Sequence, residues 1–395
     1  MTERLLEVML AFLRLGVTSF GGPVAHLGYF RAEFVERRRW LDEPAYADIV
    51  ALCQFLPGPA SSQVGITLGM LRAGLMGGVA AWLGFTLPSA VAMIAFGYGV
   101  TALGDVAHAA WLHGLKIVAA AVVAQAVWSM ARSLAPDRPR ATLTVVAVVI
   151  VLAMPSALGQ IGAILMGAVA GWLLLTPRRQ AAMTTTPRLP QRRGLALAAL
   201  ALFALLLAGL PVLAGATNDH GVMLLERFFR AGSLVFGGGH VVLPLLQSAV
   251  VPPGWVDNDA FLAGYGAAQA VPGPRFTFAA YLGTVMGPSP HGWPGGLLCL
   301  VAIYLPSFLL LVGVLPFWET LRQRQAVQGA LRGVNAAVVG LLLAALYTPV
   351  WTSAILAPAD FALGVVAFLL LVFWRAAPWL VVILGALAAS ALARL

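Results

Sequence analysis

Charge is scarce in this sequence. Of its 395 residues only 10% are Asp, Glu, Lys or Arg, while 61% are hydrophobic and the mean hydropathy is +0.90. A soluble domain carries roughly 25% charged residues, so an aqueous fold of this length is excluded. Lysine is nearly missing: Lys116 is the single one. Cysteine is limited to Cys53 and Cys299, far apart in apolar segments, which leaves neither a disulfide framework nor a cysteine metal site. There is no Walker A loop, H-E-x-x-H pair, nucleophile elbow or Cys/His cluster. No enzyme activity, metal or cofactor is therefore expected. Gly237-Gly238-Gly239 sits in an apolar segment without a strand pattern and is not a dinucleotide loop.

What fills the chain instead is one long apolar stretch after another. Lipid offers backbone groups no partners, so a spanning segment must be a helix or part of a closed barrel. A barrel strand alternates polar and apolar positions, whereas 141–153 and 363–373 are apolar on every face. The expectation is an all-α polytopic integral membrane protein. Its net charge of +9 reads as the positive-inside bias of such proteins, not as a nucleic-acid footprint. The N-terminus lacks an A-x-A-type cleavage site and reads as retained. Arginine in place of lysine fits a GC-rich bacterial genome, and with it the inner membrane.

The chain repeats itself. Phe12-Leu-Arg14-Leu-Gly16 through Phe20-Gly21-Gly22-Pro23 matches Phe228-Phe-Arg230-Ala-Gly232 through Phe236-Gly237-Gly238-Gly239 at an offset of 216. Trp40-Leu-Asp42 matches Trp255-Val-Asp257, and Gln54…Pro57-Gly58-Pro59 matches Gln269…Pro272-Gly273-Pro274, both at 215. Gly77-Gly78 and Leu87-Pro88-Ser89 match Gly295-Gly296 and Leu305-Pro306-Ser307 at 218, and Gly114 matches Gly333 at 219. A near-constant offset over so many blocks marks two homologous halves. We assign 1–180 to the first repeat, 181–222 to a linker with one connecting helix near 195–214, and 223–395 to the second repeat. Hydrophobic segments fall near 5–22, 46–70, 77–99, 110–131, 141–154 and 158–175, then near 223–240, 261–285, 295–315, 331–350, 360–374 and 378–394. About six per repeat plus the linker gives thirteen.

Equivalent loops carry opposite charge bias. Loop 31–39 has Arg31, Arg37, Arg38 and Arg39, and its counterpart 249–258 has no Arg or Lys. Loop 131–140 has Arg132, Arg138 and Arg140, and its counterpart 351–359 has none. Conversely, 101–113 has none where 316–333 has Arg322, Arg324 and Arg332. Such loops face opposite sides of the membrane, so the repeats are expected to be inverted, with the N-terminus cytoplasmic and the C-terminus periplasmic. Loops 24–45 and 70–76 both read as cytoplasmic, which favours doubling back of the first two segments of each repeat at their Gly/Pro breaks.

Inverted repeats with paired broken helices place a substrate site near the midplane. Unpaired N–H groups beyond a break, at the positive end of the helix dipole, suit an anion. After Gln54 and Pro57-Gly58-Pro59 come Ser61, Ser62 and Gln63; after Gln269 and Pro272-Gly273-Pro274 come Arg275 and Thr277. With Gly21, Gly22, Gly237 and Gly238 of the first breaks, these are the candidate substrate-binding residues. Arg14 and Arg230, at matched places in apolar segments, join them, because an intramembrane charge is costly enough to imply a role. The bland alternatives are a simple kink at each Pro-Gly-Pro and an arginine that snorkels to the interface. Glu226, four residues before Arg230, is placed to pair with it. Lys116, His26, His240 and Glu226 are candidates for charge or proton coupling.

The paired Phe-Gly-Gly and Pro-Gly-Pro blocks, with Gly65-Ile-Thr-Leu-Gly69 and Phe278-Ala-Ala-Tyr-Leu-Gly283, resemble the chromate ion transporter family over nearly the whole chain, in the manner of its long two-domain members. That resemblance implies efflux of chromate from the bacterial cytoplasm and chromate resistance. Sulfate, another tetrahedral dianion, is the alternative cargo; an anion channel and a membrane enzyme or assembly subunit are the competing classes. The lipid bilayer and chromate are the expected partners, a homodimer is left open, and nucleic acid is not expected.

Overall fold

A computed structural model describes residues 2–102, 110–175, 193–236 and 239–392 of the chain. Gly237, Gly238, most of loop 101–113 and nearly all of loop 177–193 lie outside the described residues. Helix α1 (Thr2–Thr18) stops at Ser19-Phe20-Gly21-Gly22, and the chain restarts at Pro23 as α2 (Pro23–Phe30), which winds on as a π-helix (Arg31–Arg37). Proline suits a first helical position because the N–H it lacks would have no partner there. The stretch 24–45, expected as a loop, is thus helical as far as Arg37. Glu33 pairs with Arg37 one turn on (3.1 Å) and with Arg38 (2.6 Å), which sustains a helix through this polar segment.

Helix α3 (Glu43–Phe55) starts where the Ala45 amide donates to Asp42 (3.0 Å), and it ends at Leu56-Pro57-Gly58-Pro59. Helix α4 (Ala60–Ala102) follows, kinked at Ala73 and Gly74, and this kink replaces the loop expected at 70–76. Then come α5 (Ala110–Leu134), α6 (Arg138–Ala153), α7 (Ala157–Leu174) and the connecting α8 (Arg193–Thr217). Asp137 caps α6, and a hydrogen bond from the Arg140 side chain holds its carboxyl below the ordinary carboxylate range.

The second half opens with α9 (His220–Leu234), breaks after Val235, and resumes in a 3-10 turn and α10 (Val242–Val250). Helix α11 (Asn258–Ala270) runs to the break Val271–Pro274, beyond which a 3-10 turn (Arg275–Thr277) leads into α12 (Phe278–Val285). The chain continues as α13 (Gly292–Val314), α14 (Trp318–Arg322), α15 (Gln325–Ala345), α16 (Thr352–Ala354), α17 (Pro358–Val372) and α18 (Pro378–Leu392). The expected segments 46–70 and 261–285 each prove to be two helices about a Pro-Gly-Pro, because neither proline can donate to the helical ladder.

Among the described residues, six helical stretches are long and apolar enough to cross a membrane: Ala60–Ala102, Ala110–Leu134, Ala157–Leu174, Arg193–Thr217, Gly292–Arg322 and Gln325–Ala354. Among the described residues there is no strand. The protein is an all-α, multi-pass membrane protein.

The broken segments double back. Glu7, near the start of α1, accepts from Arg72 (2.8 Å), Trp40 (3.3 Å) and Arg38 (3.4 Å). The start of α1, the turn after α2 and the end of the first limb of α4 therefore lie together. In the second half, Trp255 packs edge-on to His220 (4.4 Å) and under the Arg227 guanidinium (4.0 Å), and its carbonyl accepts from the Gly287 amide (3.1 Å). This again gathers the start of α9, the turn after α10 and the end of α12. Near the far end of α4 the Tyr98 hydroxyl accepts from the Trp293 amide at the start of α13 (2.9 Å). At the opposite end of that crossing, Trp318 and Arg322 donate to Asp48, near the start of α3 (3.3 and 2.7 Å).

The remaining helices interlock the halves. Helix α5 packs on α17 and α18 of the second half, and α15 packs on α6 and α7 of the first. Gly167 and Gly171 meet Gly333 and Gly329 so closely that no Cβ fits between them. Such backbone approach is how membrane helices gain van der Waals contact when lipid removes the hydrophobic drive to associate. Neither half closes its own helix bundle. Beneath the first breaks, Phe12, Phe30, Phe34 and Phe85 form a buried aromatic cluster with Phe12 at its centre.

Candidate functional site

The helices that run into the four breaks hold 17, 13, 15 and 13 residues. At 1.5 Å per residue they reach about 20–26 Å, short of the roughly 30 Å hydrocarbon core. Limbs of this length that double back to their starting face turn within the hydrocarbon, where exposed backbone groups need partners. They find them in each other. The Gly58 amide donates to the Val235 carbonyl (2.7 Å), and the Gly273 amide donates to the Ser19 carbonyl (2.9 Å). Each half's second break is thus tied to the other half's first break by the equivalent bond. Gly58 (φ +128) and Gly273 (φ +88) hold conformations a side chain would strain, and a Cβ on Gly58 would fall on Gln63 and Ser307.

Around this junction the first half contributes uncharged groups. His26 is buried, with Nε2 3.2 Å from the Ser19 carbonyl and Nδ1 3.4 Å from the Ser61 hydroxyl. Gln63 donates through Nε2 to the Pro57 carbonyl (2.7 Å) and the Ser307 hydroxyl (3.4 Å). That orientation leaves Gln63 Oε1 buried without a partner, and the Ser19 hydroxyl shares this condition. Ser62 lies 3.4 Å from the Tyr304 hydroxyl.

The second half contributes the charge. Arg275 follows Pro274 directly, and its guanidinium lies against Gly22, where a Cβ would come within 2.7 Å of Nη2. It donates to His240, whose Nδ1 is 2.9 Å from the Tyr265 hydroxyl. A guanidinium can only donate, so the ring nitrogen stands as the acceptor in this contact. Among the described residues no carboxylate lies within ion-pair distance of Arg275. Arg275 and His240 are both partly accessible. Thr277 is buried and donates to the Pro274 carbonyl (2.9 Å). Gln269 is buried, donating to the Tyr265 carbonyl (3.1 Å) while its Oε1 has no partner.

Chemically, this is one uncompensated cation among neutral donors, at a junction of helix ends. A cation held within a membrane protein is expected to be paired, since desolvating an unpaired one is costly. The missing counter-charge makes Arg275 the group that an anion would satisfy.

The other sequence candidates go elsewhere. Arg14 is exposed on the outer side of α1, and Gln54 is exposed although its counterpart Gln269 is buried. Arg230 pairs with Glu226 (3.1 Å) and lines a small cavity with Arg227, Gln160 and Ser248, without contact to Arg275. Lys116 is buried but ion-paired to Asp259 of α11 (3.0 Å), tying α5 to the second half. Pro57 and Pro272 are half-buried at the junction, Pro59 and Pro274 buried, Gly21 exposed and Gly22 buried.

Sequence reasoning overlooked Ser19, Ser89, Tyr265, Tyr304 and Ser307 as site residues. Ser89 and Ser307 stand in the repeated Leu-Pro-Ser block, so the signal was present. Ser307 meets Gln63, and Ser89 Oγ lies 3.0 Å from where a Gly273 Cβ would be.

The family profile described as "Chromate transporter" matches residues 6–172 and again residues 222–390. A chromate transport protein of Pseudomonas aeruginosa is 29% identical over 343 residues, covering 85% of this chain and 79% of that protein. One of Cupriavidus metallidurans is 26% identical over 357 residues, covering 87% and 82%. An uncharacterized transporter of Bacillus subtilis is 36% identical over 124 residues, 31% of this chain and 67% of its own length. No solved structure matches the chain. The profile covers most of the sequence in two copies, each of them containing a pair of the breaks that meet at Arg275, and the chain belongs to the chromate transporter family.

Proposed function

We propose that this protein is a secondary transporter that exports chromate from the bacterial cytoplasm and so confers chromate resistance. The observation that carries the proposal is Arg275: a guanidinium at the junction of the helix breaks, against Gly22 and the His240 ring and with no carboxylate partner among the described residues. The anion would take the place of the missing counter-charge, with Ser61, Ser62, Gln63 and Thr277 close at hand as polar groups. The names of the relatives in Pseudomonas and Cupriavidus supply chromate as the cargo.

The proposal includes two inverted repeats, 1–180 and 223–395, joined through 181–222. It is supported by the twofold profile match, by the equivalent Gly58–Val235 and Gly273–Ser19 bonds, and by the opposite charge of matched loops. Rocking of one repeat against the other would expose the junction to each side in turn. The basic loops support a cytoplasmic N-terminus and a periplasmic C-terminus in the inner membrane.

Everted vesicles give the test. Chromate should accumulate uphill under an imposed gradient, and Arg275→Gln should lower that uptake about a hundredfold, as expected when one partner of a desolvated charge pair is removed. Arg275→Lys should retain part of it. Uptake that only equilibrates would identify a channel instead. Accumulation of sulfate in preference to chromate would reassign the cargo, and full activity of Arg275→Gln would remove the arginine from the site.

A further inference from the structure

A second basic site lies away from the junction, on the face where α1 begins. A cavity of about 120 Å³ is lined by Arg4, Trp40, Leu41, Leu68, Leu71 and Arg72. Arg72 commits Nε and Nη2 to Glu7 (3.1 and 2.8 Å) and lays its guanidinium 5.2 Å from the centre of the Trp40 ring. Its Nη1 has no protein partner, and Arg4 has neither ion pair nor hydrogen bond among the described residues. Glu33 holds Arg38 (2.6 Å) and Glu7 pairs with Arg72 (2.8 Å), so Arg4 supplies the excess positive charge at the opening.

The remaining wall is apolar. Leu41, Leu68 and Leu71, with the face of Trp40, would strip water from a small free anion without replacing it. A phosphodiester that carries glycerol and acyl chains satisfies both walls at once. The location agrees: Arg72 ends the first limb of α4, the exposed Leu75 and Met76 follow it, and Trp40 is the residue type that settles at a membrane interface. By its arginines this is the face turned to the anionic cytoplasmic leaflet.

We propose that this cavity binds the phosphate of an anionic phospholipid headgroup, with Arg4 and Arg72 on the phosphate and the leucines against the glycerol and acyl chains. A lipid held there rests beside the Ala73–Gly74 kink, where the doubled-back segment joins the crossing limb of α4.

The test uses the purified full chain in mild detergent, incubated with dioleoylphosphatidylglycerol or dioleoylphosphatidylcholine, with retained lipids counted by native mass spectrometry. The wild type should keep at least one phosphatidylglycerol that phosphatidylcholine does not replace. Arg4→Gln should weaken that retention about fivefold, the effect of one basic residue near a charged membrane surface. Leu71→Trp, which fills the cavity and leaves every charge in place, should remove the same lipid. Equal retention of both lipids, or retention unaltered in both variants, would overturn the proposal. So would thermal stabilisation by inorganic phosphate equal to that by phosphatidylglycerol, since it would mark a free-anion site.

Discussion

The two Pro-Gly-Pro breaks are built alike and armed differently. In both, a glycine at positive φ donates its amide to a carbonyl of the other half, at 2.7 Å from Gly58 and 2.9 Å from Gly273. In both, a helical turn begins directly behind the second proline. The first restart reads Ala60-Ser61-Ser62-Gln63 and offers hydroxyl and amide groups; the second reads Arg275-Phe276-Thr277 and offers a charge. Similar backbones thus fix a place, and unlike side chains decide what is held there. A strictly symmetric site would have set two guanidiniums together, and their repulsion in a low-dielectric interior would be costly. One arginine avoids that cost and gives the junction a single positive pole.

The sharpest way to break this comparison is to move the pole. Arg275→Ala alone should lower chromate transport about a hundredfold. Adding Ala60→Arg should recover a measurable part of it if the breaks are equivalent in position, as read by uptake in everted vesicles. No recovery would mean that the His240 and Tyr265 pair, whose hydrogen bond has no equivalent beside Ala60, is needed to hold the guanidinium.

The two glutamines beside the breaks give a smaller contrast. Gln63→Leu strips a donor from the Pro57 carbonyl and Ser307, and should destabilise the protein by about 1–3 kcal/mol, as expected for a stranded buried acceptor. Gln269→Leu removes a side chain whose donor serves a carbonyl within its own helix and whose Oε1 is already unpartnered. It should cost less than half as much in a thermal melt. Equal losses would show that the two halves bear on the junction equally.

The smallest expected effect concerns Arg14 and Arg230, matched in sequence and both placed off the junction. Arg14→Gln removes an exposed charge, and Arg230→Gln leaves Glu226 without its partner at 3.1 Å. Arg14 is exposed, so Arg14→Gln should change uptake less than about fivefold. Arg230→Gln strands the buried Glu226 carboxylate and should lower stability, while uptake per folded transporter changes less than about fivefold. A loss as deep as that of Arg275→Gln would return both arginines to the transport path.

The sequence alone reached the membrane, the helices and the four breaks, because each has a local cause. Twenty apolar residues in a row can satisfy their backbone in lipid only as a helix, and a proline interrupts a ladder wherever it falls. It also placed Arg275, Thr277, Ser61, Ser62 and Gln63 next to breaks. It could not separate Arg14 from Arg275, since both are arginines in apolar surroundings. Their difference is the direction a side chain faces, and that is settled by which helix lies alongside. α1 buries Val8, Phe12 and Leu15 and so turns Arg14 outward.

Tertiary structure alone decided that each half's second break is tied to the other half's first, that Gln269 is buried where Gln54 is exposed, and that α5 and α15 are exchanged between the halves. The breaks and the exchanged helices meet through residues roughly 155 to 275 positions apart in sequence, fixed by close backbone packing and by the need to pair buried polar groups. The local pattern carries no record of them.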